Sequence, residues 1–338
     1  MDAVLEATQR SRQLVYHVGE RSITITALDQ SSAKLIESVF AEWYLTPQTE
    51  NVSSVPGCTI KIRTGEAIPS IPEGGDRFEI SDNGVCHSNG LTSHLEIYGS
   101  LVALGLPGGA DVEVWINRAG EKDFPKLIRV ISYAFSSALR RCGLFELHSA
   151  AVVEPLSSKG VLIVGPSGSG KSTPATQLAS VGWSYLSDDV MVLGYRNDDV
   201  AAWPVRRCFA VTEQTFSDSQ FLQARLSFVP LATEAKTRFY PHDVFTSEFK
   251  ESCTPRTLFF SQITNNEQTA ISKLSPAEMI SRLIRMSPWS CYEKTTAREH
   301  LSALAGLVRQ CKGFDLFAGR DLLATGKSSS LLASYVHD

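Results

Sequence analysis

The chain has 338 residues, of which 43% are hydrophobic and 20% charged, and a formal net charge of −4. That composition belongs to a soluble globular protein of one large domain or two ordinary ones, and the scattered Lys and Arg exclude a nucleic-acid binder. No run of 18 apolar residues is present to span a membrane.

Seven dispersed cysteines without a Cys-x-x-Cys pair argue against a zinc site and place the chain in a reducing cytoplasm. The opening Met1-Asp-Ala-Val-Leu-Glu has an early acid and no apolar core, so it does not read as a secretory signal. Residues 12–29 alternate around Gly19-Glu20, which predicts a β-hairpin. Leu35, Ile36, Val39, Phe40 and Trp43 form a helical stripe over 30–44. Short strands are expected at Cys58–Arg63, Arg77–Ile80, Ser93–Tyr98, Leu101–Leu106 and Val112–Asn117. Residues 1–120 therefore read as a strand-rich α+β domain without recognisable chemistry.

A helix is predicted over 123–142, with Leu127, Ile131, Ala134, Ala138 and Cys142 on one face and Gly143 as its stop. Its start is the expected domain boundary, and its apolar face is expected to pack on the core of a second domain, 121–338. Leu144–Val153 reads as a strand, with further strand-like pieces at 190–195, 206–212 and Phe314–Phe317. Helices are expected at 276–286 and 295–311, and Lys327-Ser-Ser-Ser reads as a capping turn or fraying loop. Residues 213–273 give no clear order.

The most specific signal lies in between. Val161–Val164 is an apolar, β-branched run suited to a buried strand. Gly165, Pro166, Ser167, Gly168, Ser169, Gly170, Lys171, Ser172 and Thr173 follow, in the G-x-x-x-x-G-K-[ST] spacing of a phosphate-binding loop. In such a loop backbone N–H groups face phosphate oxygens, Lys171 reaches the outer phosphates, and the Ser172 hydroxyl can bind Mg²⁺. A helix with Pro174 in its first turn and Gly182 as its stop completes a strand–loop–helix unit.

Phosphoryl transfer also needs a metal on the phosphates and a group that receives the acceptor's proton. Asp188 and Asp189 follow Lys171 by 17 and 18 residues and are expected at a tight turn between two strands. Adjacent side chains diverge there, so one can face the metal and the other the substrate. Asp198-Asp199, by contrast, reads as a plain turn. His148, in the strand before the loop, is placed to hydrogen-bond a catalytic carboxylate. Arg206, Arg207, Lys236 and Arg238 are further candidates for phosphate or acceptor contacts.

Taken together, Leu147-His-Ser-Ala-Ala-Val-Val, the loop Gly165–Thr173 and Tyr185-Leu-Ser-Asp-Asp resemble the HPr kinase/phosphorylase family and its wider HPr-kinase-like group. The resemblance covers roughly 144–212 and implies an α/β P-loop kinase domain of the HPr kinase/PEP-carboxykinase-like type with a mixed sheet. It implies ATP and Mg²⁺ as ligands, with Lys171 on the phosphates and Ser172 on Mg²⁺. Asp188 would be the general base, Asp189 a partner of the metal or of Lys171, and His148 an assistant to Asp188; the two aspartate roles are interchangeable at this stage. In the family a hairpin carries the aspartate pair.

The glycine-containing Glu-x-Arg-Gly-Leu-Gly signature of the bifunctional enzymes is absent after the pair. That argues against phosphorolysis and against HPr as substrate, and sets the chain nearer the kinases that tailor ribosomally made peptides. The resulting expectation is a cytoplasmic kinase acting on a serine hydroxyl of a peptide or small protein. Neither nucleic acid nor membrane is an expected partner, and there is room for a homo-oligomer. The alternatives are a small-molecule alcohol kinase of the same fold and a nucleotide-binding regulatory module without chemistry.

Overall fold

A computed structural model describes residues 12–43, 57–65, 67–80, 83–117, 123–206, 208–229, 236–323 and 327–337. The opening segment, Arg207 and the expected boundary after residue 120 lie outside the described residues. The chain is mixed α/β and divides into two units, Met1–Leu144 with Trp289–Arg298, and Phe145–Pro288 with Glu299–Asp338.

The first unit is built on an eight-stranded sheet. The predicted hairpin forms β1 (Arg12–Val18) and β2 (Arg21–Ala27), and the helical stripe forms α1 (Gln30–Trp43). β3 (Cys58–Gly65), β4 (Asp76–Ile80), β5 (Gly84–Ser88), β6 (Ser93–Ile97), β7 (Ser100–Leu104) and β8 (Val112–Asn117) follow, then α2 (Phe124–Arg141). The strand order is β1-β2-β3-β8-β7-β6-β5-β4, parallel only where β3 meets β2 and β8. Alternate residues Ile23, Ile25, Ile60, Ile62, Val112 and Val114 are buried, as a sheet covered by helices requires.

The sequence placed α2 in the second unit; it packs instead on β3, β7 and β8 of the first. Its stripe Leu127, Val130, Ile131, Ala134 and Phe135 is buried, and Phe135 meets Tyr16 and Phe40 edge-on. A helical stripe says that a face is buried but not against which sheet.

The second unit has a seven-strand path with one strand off it. Its elements are β9 (Phe145–Val153), β10 (Gly160–Val164), α3 (Ser172–Ser180), β11 (Ser184–Ser187), β12 (Val190–Arg196), β13 (Asp199–Pro204), β14 (Phe209–Thr212), α4 (Glu213–Ser217), α5 (Gln220–Gln223), β15 (Lys236–Phe239), α6 (Pro241–Val244), β16 (Pro255–Ile263), β17 (Ala270–Lys273), α7 (Pro276–Met286), α8 (Trp289–Tyr292), α9 (Lys294–Gln310), β18 (Lys312–Ala318) and α10 (Lys327–His337). α8 and the first residues of α9 belong to the first unit.

The order is β13-β12-β9-β10-β16-β18-β17, with β11 also on β9. β10 is antiparallel to β9 and parallel to β16. Leu162 and Val164 of β10 face a core shared with α7 and α9, whereas Val161 and Ile163 face one shared with α3 and α10. Burial on both faces explains why β10 reads as a continuous apolar run.

Three expectations are corrected here. The tail from Lys327 is a helix, not a fraying loop, because Leu332 and Val336 recur four apart and are buried against Phe259 and Phe314. The unordered stretch 213–273 contains the central strand β16, whose run Leu258-Phe259-Phe260 is buried. The pair Asp188-Asp189 is not in a hairpin, as the next subsection describes. Asp198, in contrast, does lie in the turn between β12 and β13, next to Asn197 at φ 57°.

Candidate active site

The phosphate loop runs from the end of β10 into α3. Gly170 has φ 90°, and a Cβ there would lie 2.9 Å from the Ile263 side chain, so glycine is required twice over. At Gly165 a Cβ would lie 2.3 Å from Ser169 Oγ. The loop is tied down by Ser261 Oγ, which donates to the Ser169 carbonyl at 2.9 Å, and by the Gly165 N–H, which donates to the His148 carbonyl at 3.4 Å. Lys171 is buried and donates to the Pro166 carbonyl at 2.8 Å. Burial pushes its pKa down to about 8, with the nearby Lys236 acting in the same direction.

β9 organises everything else. One of its edges carries β10, with Ser149 opposite Val164. The other edge carries β11 and β12 end to end: Ser187 lies opposite Ala151 and Val190 opposite His148. Three positions separate each pair of partners, so Asp188 and Asp189 fall opposite Ala150 and Ser149. The aspartate pair is a break in one continuous strand line, level with the C-terminal end of β10. This differs from the hairpin the resemblance implied, because β11 and β12 pair with β9 and not with each other.

The two aspartates have opposite surroundings. Asp188 is buried; its Oδ2 accepts from the Ala210 N–H at 2.8 Å, and its carbonyl accepts from Ser172 Oγ at 3.3 Å. Burial and the neighbouring Asp189 charge push its pKa up to about 7. Burial would raise Asp189 too, but there it is outweighed. His148 Nε2 lies 3.0 Å from one carboxylate oxygen and Arg206 2.6 Å from the other, and together with Lys171 they hold Asp189 well below the usual carboxylate range.

The sequence anticipated a contact between His148 and Asp188; the contact observed is with Asp189. Regular alternation would put Asp188, opposite Ala150, on the His148 face; the break in the strand line instead turns Asp188 toward the Ala210 N–H of β14 and sets Asp189 against His148. Arg206 was a candidate phosphate contact and is an Asp189 partner. Sequence reasoning missed Ser261, Ala210 and Thr215. Of these only Ser261 left a trace, as the first polar residue after the apolar run of β16. Thr215 Oγ1 lies 2.8 Å from Thr173 Oγ1 and fastens α4 to the start of α3.

The donor set fits a phosphate chain with a divalent ion. A buried ammonium sits at the loop, and the Ser169 hydroxyl is buried with no hydrogen-bond partner among the described residues. Mg²⁺ usually takes one or two protein oxygens and completes its shell with phosphate and water. Ser172, whose Oγ donates its proton to a carbonyl, keeps its lone pairs available for that role. Asp189 has one contact on each carboxylate oxygen, from His148 and Arg206, and each oxygen keeps a further lone pair with which it could join. Among the described residues no group of three or more His, Cys, Asp or Glu could hold a metal without such a substrate, and no helix is long and apolar enough to cross a membrane.

No protein-family profile matches the chain, and no curated protein matches it in sequence. Among solved structures it is similar to the HPr(Ser) kinase/phosphatase from Coxiella burnetii, with 10% identity, coverage of 57% of this chain and 93% of that one, and a TM-score of 0.27. A likeness of that degree carries no weight for mechanism, and the reading of the site rests on its own geometry.

Proposed function

We propose that the chain is an ATP-dependent kinase that transfers the γ-phosphoryl group to a hydroxyl, with a serine of a peptide or small protein as acceptor. The observation that carries this reading is the placement of the aspartate pair, with Asp188 buried, level with the loop and its buried lysine at one end of one sheet. A general base works best when its pKa lies near the working pH, and about 7 for Asp188 meets that condition.

In this reading Asp188 accepts the proton of the hydroxyl as its oxygen bonds to the γ-phosphorus and the bond to the ADP oxygen breaks. Lys171 and the loop N–H groups hold the phosphates. Ser172, with Asp189 as its candidate second, holds Mg²⁺, which when bound neutralises phosphate charge. Asp189 stays ionised between His148 and Arg206, and its charge helps to keep Asp188 basic.

The test is transfer of label from γ-labelled ATP with Mg²⁺ to a library of serine peptides. Wild-type protein is expected to label peptide serine. Asp188→Asn is expected to lower the rate by about 10²- to 10⁴-fold while nucleotide still binds. Undiminished transfer in that variant removes Asp188 as the base. Label on free alcohols alone would change the acceptor class, and binding without any transfer would point to a regulatory module.

A further inference from the structure

The aspartate pair and its partners account for one side of the phosphate loop. The other side lies at the end of β16. β10, β16 and β18 are parallel neighbours that finish at Val164, Ile263 and Ala318. Ligands of open α/β sheets bind outside such carboxyl ends. Phe259, Ser261 and Ile263 alternate onto the face that carries α3. Phe259 is buried in the core shared with α3 and α10, and Ser261 fastens the Ser169 carbonyl. Ile263 comes next and meets the loop at its last glycine: a Cβ on Gly170 would lie 2.9 Å from the Ile263 side chain.

Ile263 is nevertheless 59% exposed, whereas Val161, Ile163, Phe259 and Leu316 on the same face are wholly buried. The segment that follows it is committed to β18. The Thr264 N–H and hydroxyl both donate to the Ala318 carbonyl, at 2.9 and 3.1 Å. The Arg320 N–H donates to the Asn266 carbonyl at 3.0 Å, and the Asp321 N–H to the Glu267 carbonyl at 3.1 Å. Asp321 Oδ1 in turn accepts from the Thr269 N–H and hydroxyl, at 2.8 and 2.7 Å. A single exposed isoleucine is ordinary on a surface. This one is held in a hydrogen-bonded frame against the glycine that precedes the loop lysine.

The direction of a bound triphosphate follows from the acids. Asp188 and Asp189 stand on the β9 side of β10, level with the loop. A γ-phosphoryl group in line with a hydroxyl offered to Asp188 lies on that side. The opposite end of the phosphate chain then leaves the loop on the β16 side, where Ile263 stands beside Gly170.

We infer that the end of β16 is the nucleoside subsite, with the exposed Ile263 side chain as the apolar surface on which the nucleoside of the triphosphate packs. The inference rests on the nucleotide reading of the loop and deepens it. The loop holds phosphate by charge and N–H groups, and Ile263 adds a contact that only a ligand with a nucleoside can use. Ile263 is a binding residue in this assignment and takes no part in moving the proton or the phosphoryl group.

The experiment measures, by calorimetry on the full chain with Mg²⁺, the binding of ATP and separately of inorganic tripolyphosphate, which has the phosphates without the nucleoside. Ile263→Ser is expected to weaken ATP by about fivefold or more while tripolyphosphate changes by less than about twofold. Ile263→Leu should keep both affinities, and Lys171→Ala should lose both. Retained tripolyphosphate affinity also reports that the loop of the serine variant is folded. An ATP affinity unchanged in Ile263→Ser, or an equal loss for the two ligands, overturns the inference while the loop reading stands. Failure of the underlying reading looks different: wild-type protein binds neither ligand, which removes the subsite with it, or binds ATP without any transfer, which removes the kinase and leaves the subsite.

Discussion

The two units each bury charge, and they do so in opposite ways. In the first, Arg140 and Glu293 are both 2% exposed and joined at 2.6 Å. Arg140 also donates to Ser136 and Ser137 and lies over the Trp289 ring, 4.4 Å from its centre. The guanidinium is spent on fixed partners, and this ties residues 289–298 to α2. In the second, Lys171, Asp188 and Asp189 are brought together with partners that leave the first two far from their ordinary pKa values. The Arg140 guanidinium, with each nitrogen on a fixed partner, holds the fold together, although Glu293 Oε1 has no hydrogen bond among the described residues. A buried charge left partly uncompensated has capacity for chemistry.

The comparison is broken most directly by removing one group from each region. Lys171→Ala should abolish detectable nucleotide binding by calorimetry and with it transfer, a loss of about 10³-fold or more if phosphate recognition depends on that charge. Glu293→Ala should leave Arg140 buried without its partner and lower the free energy of unfolding by about 3–5 kcal/mol, read from urea denaturation. Nucleotide binding that survives Lys171→Ala, or a Glu293→Ala protein as stable as wild type, would show that the contrast has been misread.

A sharper version uses sign rather than size. The folded pKa of Asp188 is about 7 against an ordinary value of 3.8, so the native state binds the proton more tightly than the unfolded chain does. Stability from this group is full below the unfolded value and is lost as pH rises toward 7. Asp188→Asn keeps an acceptor for the Ala210 N–H and removes the charge. It should therefore stabilise the protein at pH 8 by roughly 2–4 kcal/mol while inactivating it, the reverse of Glu293→Ala. Asp189 has the opposite slope: its pKa is depressed, so its contribution is present above the ordinary carboxylate value and fades as pH falls below it.

The same values set a rate profile. Asp188 must lose its proton, near pH 7, and Lys171 must keep its own, up to about pH 8. The kcat/KM of the free enzyme is expected to be bell-shaped with limbs near those values, and Asp188→Glu should move only the acid limb. A flat profile from pH 6 to 9 would dissociate both groups from the rate. The smallest effect is expected at the anchor: Ser261→Ala removes one hydrogen bond to the loop and should weaken nucleotide binding by about fivefold, or roughly 1 kcal/mol.

Much of the candidate site was legible along the chain because it is local. The phosphate loop is a run of nine residues in which glycine, lysine and serine spacing alone dictates the backbone path, and the strand and helix beside it have their own periodicities. The hairpin at Gly19, the α1 stripe and the α2 stripe were readable for the same reason. Local patterns do not state their partners. The sequence therefore could not say that α2 packs on the first sheet, that β16 lies beside β10, or that His148 meets Asp189 instead of Asp188.

What the sequence by itself determined is a loop with the spacing of a phosphate cradle followed by an acid pair, since both are set by residue type at fixed short spacing. What only the tertiary structure decided is how those acids are used. β9 carries β10 on one edge and the broken β11–β12 line on the other, which brings Asp188 and Asp189 level with the loop. The break sends one acid into the interior and the other to His148 and Arg206, and it is those surroundings, contributed by residues far apart in the chain, that separate their proton affinities.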